Sequence, residues 1–89
     1  MREILWGEAK LSLEEGRALT CRYYVLAQDC PPPVSGERYG IRVRLEERGE
    51  TAEVRDLTLL PGRIEALADQ LVRCGVTPCT LLDVVNDWL

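Results

Sequence analysis

Apolar residues in the C-terminal third of the chain recur with the period of an α-helix. One stripe consists of Ile64, Leu67, Ala68, Leu71 and Val72, and a second of Leu81, Val84, Val85, Trp88 and Leu89. Spacings of three and four residues place the members of each stripe on one helix face. The pattern therefore predicts two amphipathic helices. Gly75 is typical of the residue that ends a helix, and Thr77 or Thr80 is expected to cap the second one.

The preceding part of the chain alternates between apolar and polar residues, which is the period of a half-buried strand. The alternation predicts strands at 8–13, 19–27, 39–46 and 51–59, joined by turns at 14–17 and 47–50 and by the proline-rich segment 30–36. In the third strand Tyr39, Ile41, Val43 and Leu45 point inward. The alternation in the fourth strand slips near Arg55, which indicates either a bulge or the end of the strand.

Strands followed by helices are typical of the α+β class. We expect one small α+β domain over residues 1–89: an antiparallel meander of about four strands, followed by two C-terminal helices packed on one face of the sheet (ββββαα). The predicted structural core consists of Ile64, Leu67, Leu71, Val84, Val85, Trp88 and Leu89 above the inward face of the sheet. The last residues of the chain are thus expected to be docked on the domain.

Composition narrows the functional classes. The net charge is −4 and the pI is about 4.8, which disfavours nucleic-acid binding through bulk electrostatics. No apolar run approaches the roughly 18 residues of a membrane span, and the first residues show no signal-peptide pattern, so we expect a cytoplasmic protein with no membrane partner. The chain lacks histidine, the commonest general base and metal ligand, and we expect neither enzymatic activity nor a cofactor.

The four cysteines leave two interpretations open. Cys74 and Cys79 have a spacing within the range of zinc ligands, and Cys21 and Cys30 could complete a four-thiolate site. Neither pair has the tight two-residue spacing of a zinc knuckle. The simpler interpretation is that cysteine serves as a small apolar residue in a reducing compartment. We therefore predict no metal site, with Cys74 and Cys79 as the alternative.

Arginines on the outward face of the predicted sheet form the second candidate site. The face consists of Arg22, Tyr24, Arg42, Arg44 and Arg55. Arginines around an exposed aromatic ring could bind RNA or another anion by stacking and phosphate contacts. The competing interpretation is a solvated face on which the arginines pair with Glu8, Glu46 and Glu53. The interleaved glutamates and the acidic whole favour that second interpretation.

Two further groups of residues complete the set of candidates. Asp83 and Asp87 are four residues apart on the last helix, a spacing that fits paired carboxylates but also an ordinary wet helix face. Several apolar residues match neither helical stripe nor the inward face of the sheet, and they could form an apolar interaction patch. These residues are Trp6, Leu59, Leu60 and Leu82, together with Val76. The function that we expect is therefore a non-enzymatic module that binds an unidentified protein or a second copy of itself. The alternative is RNA or anion binding by the arginine face.

The C-terminal part of the chain also contains motifs of a known family. These motifs are Tyr39-Gly40, Asp56-Leu57-Thr58, Val76-Thr77-Pro78, Leu82-Asp83-Val84-Val85 and Asp87-Trp88-Leu89. Over about residues 23–89 the chain resembles a family of short, uncharacterised bacterial proteins known only as domain of unknown function 6514. The resemblance implies two closing helices and no activity, cofactor or catalytic residue. The chain departs from the family pattern at 59–62 and at Asn86, and its cysteines lie outside that pattern.

Overall fold

Four antiparallel strands form one sheet, and two helices follow them. The computed structural model describes residues 1–12, 16–33 and 36–89. The elements are β1 (Arg2–Ser12), β2 (Ala18–Asp29), β3 (Glu37–Leu45), β4 (Glu50–Thr58), α1 (Pro61–Cys74), a short 3-10 helix (Pro78–Thr80) and α2 (Leu81–Trp88). The strand order is β1-β2-β3-β4, which confirms the predicted ββββαα meander. Leu13 of the predicted first strand and part of the turn at 14–17 lie outside the described residues, as do positions 34 and 35 of the proline-rich segment.

β1 begins six residues earlier than its alternation predicts, and a bulge at Trp6 explains the difference. Leu5 pairs with Tyr24 and Gly7 pairs with Tyr23, so Trp6 is an extra residue in β1. An extra residue reverses the parity of all positions that precede it. Ile4 therefore lies on the same face as Gly7, although the sequence pattern after the bulge would place it on the opposite one.

A second irregularity interrupts β4 and depends on a glycine in β3. Ile41 pairs with Val54 but Tyr39 pairs with Thr58, so three residues of β4 lie opposite Gly40 alone. Asp56 in this bulge has a φ of 57°. A Cβ atom on Gly40 would lie 2.4 Å from the Val54 carbonyl oxygen. The bulge thus accounts for the predicted slip near Arg55, and it requires a residue without a side chain opposite it.

The core lies between one face of the sheet and the two helices. Tyr23 pairs with Val43 and Val25 pairs with Ile41, and all four are buried in the core on strands that contact α1. The buried helical residues are Ile64, Leu67, Ala68, Leu71, Leu81 and Val85. Val84 and Trp88 are partly buried against this core. Leu89, by contrast, is 72% exposed, so its assignment to the core is wrong. The helix ends at Trp88, and Leu89 lies beyond it.

The junction between the helices is also part of the core. Val76 is only 6% exposed, so the expectation that it could join an exposed patch is wrong. The buried Tyr23 hydroxyl donates a hydrogen bond of 2.9 Å to the Val76 carbonyl oxygen. Burial also raises the pKa of Tyr23, which keeps the phenol protonated and able to donate. This bond ties the segment after α1 to the centre of the sheet.

The helix ends follow the sequence prediction only in part. Gly75 ends α1 in the left-handed region, at φ 62°, as its position predicts. Thr77 and Thr80 precede the 3-10 helix and α2 respectively, but neither side chain bonds a backbone N–H at the start of its helix. The Thr80 hydroxyl donates instead to the Thr77 carbonyl oxygen at 3.2 Å. The two threonines thus occupy the N-cap positions that the sequence predicts, but without the side-chain hydrogen bond of a cap.

No helix in the described part of the chain has the length and apolar character needed to cross a membrane.

Candidate functional site

The arginines of the outward sheet face lie side by side in the structure. Arg22 pairs across the strands with Arg44, and Tyr24 pairs with Arg42. Arg55 lies on the neighbouring strand β4, as the first residue of its bulge. A shallow depression of about 310 Å³ on this face is lined by Tyr24, Arg42 and Arg44, together with Glu3, Thr51 and Glu53. The face that the sequence indicates is thus one continuous surface.

Each arginine of this face contacts at least one carboxylate. The pairs are Arg22 with Glu8 at 3.5 Å and with Glu46 at 3.8 Å, Arg44 with Glu46 at 3.5 Å, Arg42 with Glu53 at 3.3 Å and with Glu3, and Arg55 with Glu53 at 3.1 Å. Arg38 likewise contacts Asp56 at 3.3 Å. Glu8, Glu46 and Glu53 are the partners that the solvated-face interpretation expects. Positive and negative charges alternate over the surface, so they largely cancel one another at a distance.

Glu53 lies at the centre of this ion-pair arrangement. The Arg55 Nε–H donates to Glu53 Oε2 at 3.1 Å and Arg42 donates to the same oxygen at 3.3 Å. The Arg55 hydrogen bond and the charge of Arg42 hold the pKa of Glu53 below its usual range. Glu53 therefore remains ionised at neutral pH, and its charge is committed to two arginines of the same chain.

We expect Glu53 to make stability depend on pH in the acid range. Because the folded-state pKa is lowered, its stabilising contribution is complete above the unfolded pKa, near 4.5, and is lost as the pH falls through the folded-state value. Glu53→Gln should therefore lower Tm at pH 7 by no more than a few degrees, since the pair is solvent-exposed. The difference from wild type should shrink towards zero as the pH falls below the folded-state value.

Calorimetry of both proteins across that pH range measures this effect. Glu65→Gln on α1 is the matched control, because Glu65 is exposed and has no ion pair among the described residues. It should leave the pH dependence of Tm unchanged. A Glu53→Gln difference that persists undiminished at low pH would contradict the assignment.

The four cysteines differ in burial and lie in different parts of the fold. Cys21 is buried in the core, Cys30 is half-buried, Cys74 and Cys79 are exposed, and all four are free thiols. Burial raises the pKa of Cys21, which makes it a poor nucleophile and a poor metal ligand. Within the described ranges, no three or more His, Cys, Asp or Glu residues are grouped so that they could hold a metal ion. The alternative zinc site at Cys74 and Cys79 therefore gains no third or fourth ligand from the described residues.

The acidic pair on the last helix, Asp83 and Asp87, lies on the solvent-exposed face of that helix. Asp83 and Asp87 are both exposed, and Asp83 lies in the first turn of α2. A carboxylate in that position is favoured by the positive end of the helix dipole. This accounts for Asp83 without a catalytic role.

The four residues predicted to form an apolar patch lie in three different places. Trp6 is half-buried against the core, and its indole N–H donates to Asp69 Oδ1 on α1 at 2.7 Å. Leu82 is exposed on the first turn of α2. Leu59 and Leu60 are exposed between β4 and α1, at 58% and 59%. Only these last two are adjacent.

A different apolar surface occurs at one end of the sheet. Arg2 pairs with Ala27, Ala27 with Tyr39, and Tyr39 with Thr58, so Met1 and Leu59 flank the two ends of one row across the sheet. The Arg63 guanidinium lies 4.4 Å from the centre of the Trp88 ring, which brings the C-terminus beside the first turn of α1. We call Leu59, Leu60 and Leu89 the apolar end, whereas Met1 lies at the opposite edge of the sheet. Each of them is more than half exposed.

Sequence patterns indicate only part of this surface. Leu59 and Leu60 stand out because they lie at the end of the fourth predicted strand, 51–59, and match neither helical stripe. Leu89 continues the stripe of Trp88 and is therefore indistinguishable from a core residue until the end of α2 is located relative to the sheet.

The chain belongs to a family of unknown function, DUF6514, whose model matches residues 2–89. The match extends to the N-terminal strand, well before residue 23, and so covers the outward face and the apolar end as well as the closing helices. No curated protein and no solved structure matches the chain.

Proposed function

We propose that this protein is a non-enzymatic interaction module that binds another protein through the apolar end. The observation that supports this most directly is the exposure of Leu59, Leu60 and Leu89, at 58%, 59% and 72%. Three leucines exposed at the same end of a domain of 89 residues are costly to hydrate. Burial of such a surface against a partner would recover that cost.

Hydrogen bonds hold the backbone of Leu59 and Leu60 in place, which favours binding by a preformed surface. Leu59 and Leu60 lie between β4 and α1, where Thr58 Oγ1 accepts a hydrogen bond from the Leu60 N–H at 3.1 Å. The Leu60 carbonyl in turn accepts from Arg63 and Ile64 at the start of α1. The backbone that presents the two leucines is thus held by both neighbouring elements. A preorganised surface loses less conformational entropy on binding.

The charges of the outward sheet face favour a protein partner over RNA. RNA affinity comes largely from cations that neutralise phosphates. Here Arg42 and Arg55 share Glu53, and Arg22 and Arg44 share Glu46. A phosphate would have to displace these carboxylates or bind next to them. We therefore propose protein binding as the main function and RNA binding as the alternative. The proposal also includes a cytoplasmic location.

The proposal includes no catalysis. Glu53, the carboxylate of the outward depression with a lowered pKa, is held ionised by two arginines and lacks a proton to donate. The Tyr24 ring and Thr51 line the same depression, but no histidine exists in the chain to activate a hydroxyl group.

Affinity capture from the producing cells tests the proposed surface. We expect the wild-type chain to capture a partner that the Leu59→Glu/Leu60→Glu variant does not. With the purified partner, the double variant should raise Kd by about 30-fold or more, the effect of losing an interface residue worth about 2 kcal/mol.

Leu82→Glu is the matched control. Leu82 is as exposed as Leu60 but lies on α2 at the opposite end of that helix from Leu89. It should leave the captured partner and Kd unchanged. Equal capture by wild type and the double variant, with both folded by circular dichroism, would overturn the proposal.

A further inference from the structure

β1 forms one edge of the sheet, and its outer side is open to solvent. Among the residues that the structure describes, no backbone hydrogen bond joins β1 to an element other than β2. Ile4 and Leu5 on this edge are 41% and 56% exposed. An eleven-residue edge strand with exposed apolar residues is a template for a further strand.

The bulge at Trp6 gives β1 a face pattern that is the same in both directions. On the outward face, Glu3 and Leu5 precede the bulge, and Glu8 and Lys10 follow it. The helix-side positions are Arg2, Ile4, Trp6, Gly7, Ala9 and Leu11. Opposite residues of an antiparallel pair share a face. A second β1 related by a twofold axis between positions 6 and 7 therefore matches the correct faces throughout residues 2–11.

The charges of β1 are complementary in this same register. Glu3 of each copy lies opposite Lys10 of the other, which gives two equivalent ion pairs across the twofold axis. Ile4 lies opposite Ala9 on the helix side, where both would be covered. A shift of two residues would instead place Glu3 opposite Glu8 of the other copy, and like charges oppose pairing. The charge pattern thus selects the register that the face pattern allows.

We propose that two copies of this chain associate through β1 in this register, forming a continuous eight-stranded antiparallel sheet. The inference goes beyond the proposed function, because it rests on β1 and not on the apolar end. Either proposal can therefore fail without the other. The interface is isologous, as expected for a twofold dimer.

Charge reversal followed by mixing tests this arrangement. In sedimentation velocity we expect a wild-type dimer whose Kd rises at least tenfold in Glu3→Lys and in Lys10→Glu, because each variant places like charges opposite one another. An equimolar mixture of the two variants should dimerise again, because in the mixed pair the lysine introduced at position 3 faces the glutamate introduced at position 10 of its mate, and the unchanged Lys10 faces the unchanged Glu3. Glu50→Lys makes the same charge change on β4, the opposite edge, and should leave the dimer intact.

Hydrogen exchange of the unmodified chain provides a second measurement, because Glu3→Lys also loses the contact with Arg42 and could unfold. Amides of residues 2–11 should become more protected as protein concentration rises, while those of β4 should not. A wild-type chain that is monomeric at all concentrations would overturn the proposal, as would concentration-independent exchange in β1. Two folded variants that fail to dimerise when mixed would also overturn it.

Discussion

Gly40→Ala should destabilise the protein by about 3 kcal/mol, the upper end of the range for overpacking. A Cβ at this position would lie 2.4 Å from the Val54 carbonyl oxygen and 2.9 Å from the Arg55 Cα. Both contacts are with backbone, so neither can be relieved by a change of rotamer. The β4 bulge would have to open, which disrupts its pairing with β3. For a domain of this size Tm should fall by roughly 12–24 °C.

Gly62→Ala is the control for this substitution. A Cβ on Gly62 meets nothing within 4 Å, and the residue lies in the first turn of α1. Alanine favours a helix over glycine by up to about 1 kcal/mol, so this variant should be as stable as wild type or slightly more so. Chemical denaturation of the three proteins gives the comparison. A Gly40→Ala protein within about 0.5 kcal/mol of wild type would mean that the bulge does not hold the backbone this close.

The bulges show where sequence reasoning succeeds and where it fails. The faces of β2 and β3 follow directly from the alternation at Cys21, Tyr23, Val25, Ile41 and Val43, because no bulge interrupts either strand there. In β1 the extra residue Trp6 reverses the parity, so the first six residues do not look like part of the same strand. A period of two reports the face of a residue only between bulges. The positions of bulges depend on the neighbouring strand, as Gly40 opposite residues 55–57 shows.

The candidate surfaces differ in the same way. The ion pairs of Arg22 with Glu8 and Glu46 could be predicted because cross-strand neighbours follow from strand order and face. The apolar end could not, since it requires the segment before α1 and the end of α2 to lie close together. Those positions depend on helix lengths and packing, which periodicity does not determine.

The second large effect is expected for the centre of α1. Leu67 is fully buried in a helix that packs against all four strands. Leu67→Ala removes apolar contacts within the buried core cluster and leaves a cavity. The free energy of unfolding should fall by about 2–5 kcal/mol, the range for buried leucines. Urea denaturation measures the loss, with the slope expected to be unchanged if only stability is affected.

Leu82→Ala is the control for Leu67→Ala, because it truncates a helical leucine that is exposed instead of buried. Leu67 and Leu82 are leucines in consecutive helices, but Leu82 is 59% exposed, so its truncation should change stability by less than about 0.5 kcal/mol. Removal of Leu89 should have a similarly small effect, because it extends past the last helical residue and is more exposed still. Leu89 continues the helical stripe whereas Leu82 does not, so equal tolerance at both positions would show that the stripe stops contributing to the core where α2 ends. A loss of several kcal/mol on removing Leu89 would instead mean that the C-terminus is packed on the domain.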